Sequence, residues 1–275
     1  MRVRKKKWAE TAIQESNICL TTAEAAKNRG KWREFLQRQK IYLEIGCGKG
    51  KFITGLARTK ENIGLIGMDS EINALCFAVK KSEEQRQTAE SAAPLTLIYG
   101  TAEHLEQIFA PNEVARIYLN FSTPWPKRAH HKRRLTYPEF LASYLRILAV
   151  GGEIYLKTDN YDFFNASKIY LQYMGFTLTF AKENISKEED VTGISTEYEE
   201  KFRQDGLAIY QLIARKGEEA EVRRLQAYYQ APDSPLRQEE EINRDLQNCE
   251  IFRSRSSAYH QNKKDEEENG RLQEN

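Results

Sequence analysis

Apolar residues occur along this chain in short runs separated by longer amphipathic stretches. Residues 41–45 (Ile-Tyr-Leu-Glu-Ile) form one such run, closed by glycines, and read as a buried strand. Runs at 63–68, 95–99, 115–121 and 153–157 read as further strands. Between them, 50–59, 71–82, 103–109, 137–149 and 160–174 predict helices, and 24–39 predicts a helix leading into the first strand. Gly151 and Gly152 suit the stop of the fourth of these. Two last strand-like runs, 176–181 and 207–214, have no clear helix between them, which predicts an antiparallel hairpin at one edge. Strands alternating with helices indicate an α/β fold, a mostly parallel sheet covered on both faces.

Residues 217–275 break the pattern. They hold Pro232, Pro235, charge runs and one strong apolar stretch, Val222 to Tyr229. Three parts are therefore expected: a basic arm and leading helix over 1–34, a main domain over 35–216, and a charged extension over 217–275, partly helical and then disordered.

Composition narrows the class. Of 275 residues, 40% are hydrophobic and 30% charged, which suits a soluble chain with a sizeable core. No run of about 18 apolar residues suggests a membrane span, and no apolar stretch follows the basic N-terminus as a secretory signal would require. Cys19, Cys47, Cys76 and Cys249 are scattered without a C-x-x-C pair, so neither a zinc site nor a disulfide framework is expected. His130 and His131 are adjacent, and in an extended segment they would face opposite ways; no metal is expected there, and both are placed on an outward surface. A reducing cytoplasm is the expected compartment.

The net charge of +2 conceals an asymmetry. Residues 217–275 carry 9 basic and 14 acidic side chains, a net of −5, so the rest of the chain carries +7. Its basic residues cluster at Arg2, Arg4, Lys5, Lys6 and Lys7 and again at Lys127, Arg128, Lys132, Arg133 and Arg134, a footprint of phosphate-rich partners.

The candidate chemistry lies at strand ends. The first strand runs into Glu44-Ile-Gly-Cys-Gly-Lys-Gly50, a G-x-G-x-G turn preceded by an acid. A pyrophosphate favours exposed helix N–H groups, whereas a carboxylate beside glycines suits a cationic ligand. Gly46 and Gly48 let backbone approach such a ligand. Asp69 ends the next strand, where a carboxylate accepts from both hydroxyls of a ribose or caps the following helix. After the fourth strand comes Asn120-Phe-Ser-Thr-Pro-Trp-Pro-Lys-Arg-Ala-His-His-Lys-Arg-Arg-Leu-Thr136, in which Trp125 sits between two prolines and beside five basic residues. Trp125 is either a stacking platform for a base or a packed core residue.

These segments, with Lys157-Thr-Asp-Asn160 and Thr196-Glu-Tyr-Glu199, resemble the bacterial tRNA (guanine-N7)-methyltransferases over roughly 35–216. The resemblance implies a class I (Rossmann-like) methyltransferase fold, a seven-stranded sheet with one antiparallel edge strand. It implies S-adenosylmethionine as cofactor and the variable-loop guanosine of tRNA, position 46 in tRNA numbering, as substrate. Monomer and homodimer both remain open. By similarity Glu44, Gly46, Gly48, Asp69, Thr101 and Thr123 fall on cofactor positions. Lys127, Asp159, Thr196, Glu197, Tyr198 and Glu199 fall on substrate positions. The residues alone would read Asp159-Asn160 as a helix cap and Thr196-x-x-Glu199 as a capping box.

One departure bears on catalysis. The family's loop usually reads N-F-x-D-P-W, and its Asp is the active-site residue; here the position is Thr123. Guanine N7 is a neutral acceptor with no proton to lose, so a general base is not obligatory and alignment is the main requirement. An active methyltransferase acting on an unstacked guanosine is expected. A tRNA-binding protein with weakened catalysis is the second reading, and a dinucleotide oxidoreductase, disfavoured by the glycine spacing, the third.

Overall fold

The computed structural model describes residues 7–59, 62–88, 92–231 and 234–235. The basic cluster at 2–6 and most of the expected tail lie outside the described residues. Among the described residues eight strands form one sheet: β1 (Cys19–Thr21), β2 (Lys40–Ile45), β3 (Ile63–Asp69), β4 (Leu95–Tyr99), β5 (Val114–Asn120), β6 (Leu148–Thr158), β7 (Thr177–Lys182) and β8 (Tyr210–Arg215). Their spatial order is β1-β4-β3-β2-β5-β6-β8-β7. Every pairing is parallel except those of β8, which runs antiparallel to both β6 and β7.

The expected class of fold is present, with two differences of detail. The eighth strand is β1, from the segment expected to be only arm and helix; three residues are too few to show a periodicity. The antiparallel strand lies one place in from the edge, because the hairpin pairs β8 with β6 and leaves β7 outside.

Two helical expectations change. The run 24–39 is not one helix but two short ones, Thr22–Ala26 and Trp32–Phe35. Thr21 and Glu24 form a capping box at the first, and Gly30, at φ +81°, turns the chain before the second. The Glu113 carboxylate holds that turn by accepting from the backbone N–H of Gly30 and Trp32, each at 2.9 Å. A helix, Glu197–Gln204, stands between β7 and β8, where the apolar pattern showed none although Thr196-x-x-Glu199 reads as a capping box at its start.

Helices cover both faces. Pro138–Ile147 and Tyr161–Tyr173 pack one face around Leu43, Ile117, Leu156, Phe163 and Tyr170. Lys7–Gln14, Lys51–Thr59 and Ile72–Thr88 pack the other around Phe52, Leu65, Leu75 and Tyr118. The expected helix of the extension is Glu219–Gln230. It rests on the end of Tyr161–Tyr173 and on Gly175: Gln226 Nε2 donates to the Met174 carbonyl at 2.9 Å, and a Cβ at Gly175 would meet the Val222 carbonyl oxygen at 2.7 Å.

Candidate active site

The chain builds β2, β3 and β4 outward in one direction, then returns to lay β5 and β6 on the other side of β2. The β2/β5 boundary is thus the switch point of the sheet, where the two following connections part and leave a crevice at the carboxyl ends of the strands. Glu44 and Asn120 end these two strands, and the Asn120 Nδ2 donates to Glu44 Oε1 at 2.9 Å. Glu44 Oε2 is buried with no hydrogen-bond partner among the described residues. Burial, with the nearby Asp69 charge adding to it and the Asn120 bond opposing it, pushes the Glu44 carboxyl up to about 8. A buried carboxylate with one free oxygen is costly unless a cation or donor meets it.

The glycine turn sits directly above. Gly46, Gly48 and Gly50 all have positive φ (+80°, +55° and +80°). A Cβ at Gly46 or Gly48 would meet nothing within 4 Å, so these two face open space and owe their identity to backbone angle. Asp69 ties this turn to β3: its Oδ2 accepts from Gly48 N and its Oδ1 from Glu71 N, both at 2.7 Å. Each oxygen keeps a lone pair for a further donor. Asp69 is thus a local backbone acceptor that also borders the cavities.

The loop after β5 is strained and braced. Phe121 and Trp125 adopt left-handed φ values of +51° and +44°, unusual for aromatic residues and typical of functional loops. Arg134, only 4% exposed, braces the loop from behind by donating from Nε to the Pro124 carbonyl at 2.8 Å. The basic segment is a 3₁₀ helix, Arg128–Arg133, rather than an extended strand, so the outward placement expected for both histidines fails for His131. His131 turns inward and is buried, while His130 sets its ring edge-on to Trp125 at 5.7 Å.

Beside the crevice lies a buried ionic network that the sequence did not reveal. Lys157, on β6 in register with Asn120, is 1% exposed. Its Nζ donates to Asp190 Oδ2 (2.9 Å), Glu199 Oε2 (2.8 Å) and the Ile194 carbonyl (2.9 Å). Arg203 bonds the other oxygen of Glu199 through Nε and NH2, and Gln211 donates to Asp190 at 2.8 Å. Burial works against ionised Asp190, but Lys157 and the Thr192 bonds outweigh it and hold the carboxyl below its usual range. The network pins the stretch 190–199 onto the sheet. Thr196 then caps the Glu197–Gln204 helix by accepting from Glu199 N at 2.9 Å. Lys81 fixes Glu197 at 2.6 Å, and Lys51 pairs with Glu200.

Two adjoining cavities result. One, of about 430 Å³, is lined by Glu44, Gly46, Gly48, Asp69, Asn120, Ser122, Thr123, Trp125 and Thr196 to Tyr198, among others. The other, of about 860 Å³, borders Gly46, Asp69, Thr101, Ala102, Trp125, Arg133 and Glu139. Most of the expected site residues are therefore together. Three are placed otherwise. Glu199 is fully buried in the ionic network, so its part is to position its neighbours rather than to line the cavity. Lys127 is exposed outside both cavities, and so is the half-buried Asp159, whose neighbour Asn160 caps the Tyr161–Tyr173 helix. Asn120 and Lys157 were missed as site residues; the available signal was a polar residue ending one buried strand and a lysine inside another.

The donor set has a definite chemistry. The paired chambers are lined by six acidic side chains (Glu44, Asp69, Glu71, Glu103, Glu139 and Glu197), of which Glu44 and Glu139 each have a buried oxygen without a partner among the described residues, and by the Thr101 hydroxyl, which meets His104 Nδ1 at 3.1 Å. A ligand with a cationic amino-acid end and a nucleoside end fits this set; a polyphosphate does not.

Comparison with known proteins decides the family. A family model described as "Putative methyltransferase" matches residues 38–212. The tRNA (guanine-N(7)-)-methyltransferase of Geobacillus thermodenitrificans is 42% identical over 216 residues, covering 78% of this chain and 97% of that one. The enzyme of the same name from Limosilactobacillus reuteri is 41% identical over 78% and 99% of the two chains. The chain belongs to the tRNA (guanine-N7)-methyltransferase family. Among solved structures, an antibiotic-related methyltransferase superposes with a TM-score of 0.52 at 18% identity, covering 71% of this chain and 94% of that one. The 16S rRNA methyltransferase KamB gives 0.50 at 15% identity, covering 71% and 93%. These two show the shared fold. The relatives account for 78% of the chain, so a further share of it has no counterpart in them.

Proposed function

We propose that this protein transfers a methyl group from S-adenosylmethionine to N7 of a guanosine in tRNA, in the cytoplasm where tRNA is held. The observation that carries the reading is the buried, half-satisfied Glu44 at the switch point, opening into a cavity shared with Asp69 and Thr123. Glu44 would hold the ammonium end of the cofactor, Asp69 the ribose hydroxyls, and Thr101 the adenine side. The cofactor supplies an electrophilic methyl carbon on a sulfonium.

The chain's own residues supply placement. The rim and the cavity divide the labour by charge: exposed Lys127, Lys132 and Arg133 attract phosphates, while the acidic interior suits cations. In the transfer the N7 lone pair forms the new C–N bond. The C–S pair stays on sulfur, and the positive charge passes to the base. No proton has to leave, so no residue needs to act as a base. Thr123, exposed at the cavity edge, can still hydrogen-bond the guanine edge. Glu197 and Tyr198 border the same space and are assigned to the substrate, with Lys127 and Asp159 as outer contacts. What remains for catalysis is in-line alignment of nitrogen, carbon and sulfur, a contribution that alone can be large.

The test is transfer of label from methyl-labelled S-adenosylmethionine to unmodified tRNA, followed by nucleoside analysis. Label in 7-methylguanosine is expected. Bound tRNA with no label would make this a binding protein that has lost catalysis.

A further inference from the structure

Methyl transfer to N7 creates a cation on the base, and at position 123 this chain offers a neutral hydroxyl to face it. The structure holds another cation-attracting surface in the same loop. The Arg133 guanidinium lies over the Trp125 ring at 5.1 Å from its centroid, so this indole already receives a planar, delocalised cation. The ring borders both cavities, as do Asp69 and Gly46, and it lies two residues from Thr123. Its position is imposed rather than adopted freely. Trp125 sits at φ +44° between Pro124 and Pro126, with Arg134 donating to the carbonyls of Pro124 (2.8 Å) and Trp125 (3.4 Å). A backbone held in a sparsely populated region indicates that the ring's aim matters.

Guanidinium and 7-methylguanine share the features that an indole face selects: both are flat, cationic and weakly hydrated for their charge. Arg133 is exposed on a long side chain and can yield the face to an incoming base. We propose that Trp125 is a catalytic residue: the target guanine stacks on its ring, displacing Arg133, and the ring quadrupole stabilises the positive charge that develops as the C–N bond forms and the C–S bond breaks. The interaction is weak with the neutral substrate and stronger with the charged transition state, which is the condition for raising kcat rather than merely lowering KM. It deepens the proposed function and rests on it.

The test combines kinetics with equilibrium binding. Trp125→Leu is expected to lower kcat about tenfold while changing KM for unmodified tRNA less than about threefold; Trp125→Phe should fall between. With S-adenosylhomocysteine present, the wild type should bind 7-methylguanosine-containing tRNA more tightly than unmodified tRNA. Trp125→Leu should abolish that preference and Trp125→Phe should weaken it. Thermal denaturation reports whether each variant is folded, and if the leucine variant is not, the phenylalanine variant alone decides. Wild-type kcat and an unchanged preference in the folded variants would overturn the inference and leave the methyltransferase intact. A wild type that forms no 7-methylguanosine would remove the function and this inference together.

Discussion

Two buried ionisable groups stand two strands apart on one face of the sheet, and they are treated in opposite ways. Lys157 on β6 has its charge met in full by Asp190, Glu199 and a backbone carbonyl, with Arg203 and Gln211 completing the carboxylates. Glu44 on β2 meets only Asn120 and keeps one oxygen bare, with its carboxyl pushed up to about 8. A complete network has nothing left to offer a ligand, and it fixes geometry. An incomplete one is held in readiness for a partner from outside. The contrast separates scaffold from site more sharply than conserved-looking motifs do, for it removes Glu199 from the binding residues although Glu199 lies in the motif Thr196 to Glu199.

The largest effect should come from breaking the complete network. Lys157→Met leaves two buried carboxylates short of their cation, a loss of about 3–5 kcal/mol. Urea denaturation would read it, and a midpoint equal to that of the wild type would refute the scaffold role. Glu44→Gln should act in reverse. It removes an ionisable group that burial disfavours, so stability is kept while S-adenosylmethionine affinity falls more than about tenfold, as expected for losing a charge-assisted contact. Titration of the two variants under one set of conditions sharpens the comparison, since the first should fail in folding and the second in binding.

A pH effect follows from the same carboxyl. Folded Glu44 keeps its proton up to about 8, whereas in the unfolded chain it ionises near 4.5. Between these values the folded state binds more protons, so this group's contribution to the stability of the ligand-free protein is fullest below the lower value and is lost as pH rises toward the upper one. Thermal denaturation across that range should show a slope that Glu44→Gln flattens; equal slopes would place the free oxygen elsewhere than the structure does. A smaller effect is expected at Thr123. Thr123→Asp adds a negative charge facing the developing base cation and should raise kcat by about tenfold at most. An unchanged rate would mean that alignment and the aromatic wall already suffice.

The legible part of this molecule was the part built by short-range rules. The central strands, the glycine turn, Glu44 and Asp69 all follow from apolar runs ending in glycine or acid, and the sheet order places them together without further information. Three features escaped for identifiable reasons. The strand Cys19–Thr21 is paired over three residues only. The helix Glu197–Gln204 shows no apolar stripe because the residue it buries is Glu199, a carboxylate that meets Lys157 from 42 positions away. The turn at Gly30 is held by Glu113, 83 positions on. In each case the deciding partner is distant in sequence, and local periodicity carries no record of it. The half-satisfied state of Glu44 is of the same kind: its identity could be read from the chain, but not the fact that one oxygen had been left without a partner.

The most direct measurement is calorimetric titration of S-adenosylmethionine into the protein near neutral pH, repeated in buffers of different ionisation enthalpy to count protons. If the free oxygen of Glu44 receives the cationic end of the cofactor, binding drives its proton off, and the wild type should release protons that Glu44→Gln does not. Equal proton counts for the two proteins, or equal affinities, would contradict the claim that the unsatisfied carboxyl at the switch point is the heart of the cofactor site.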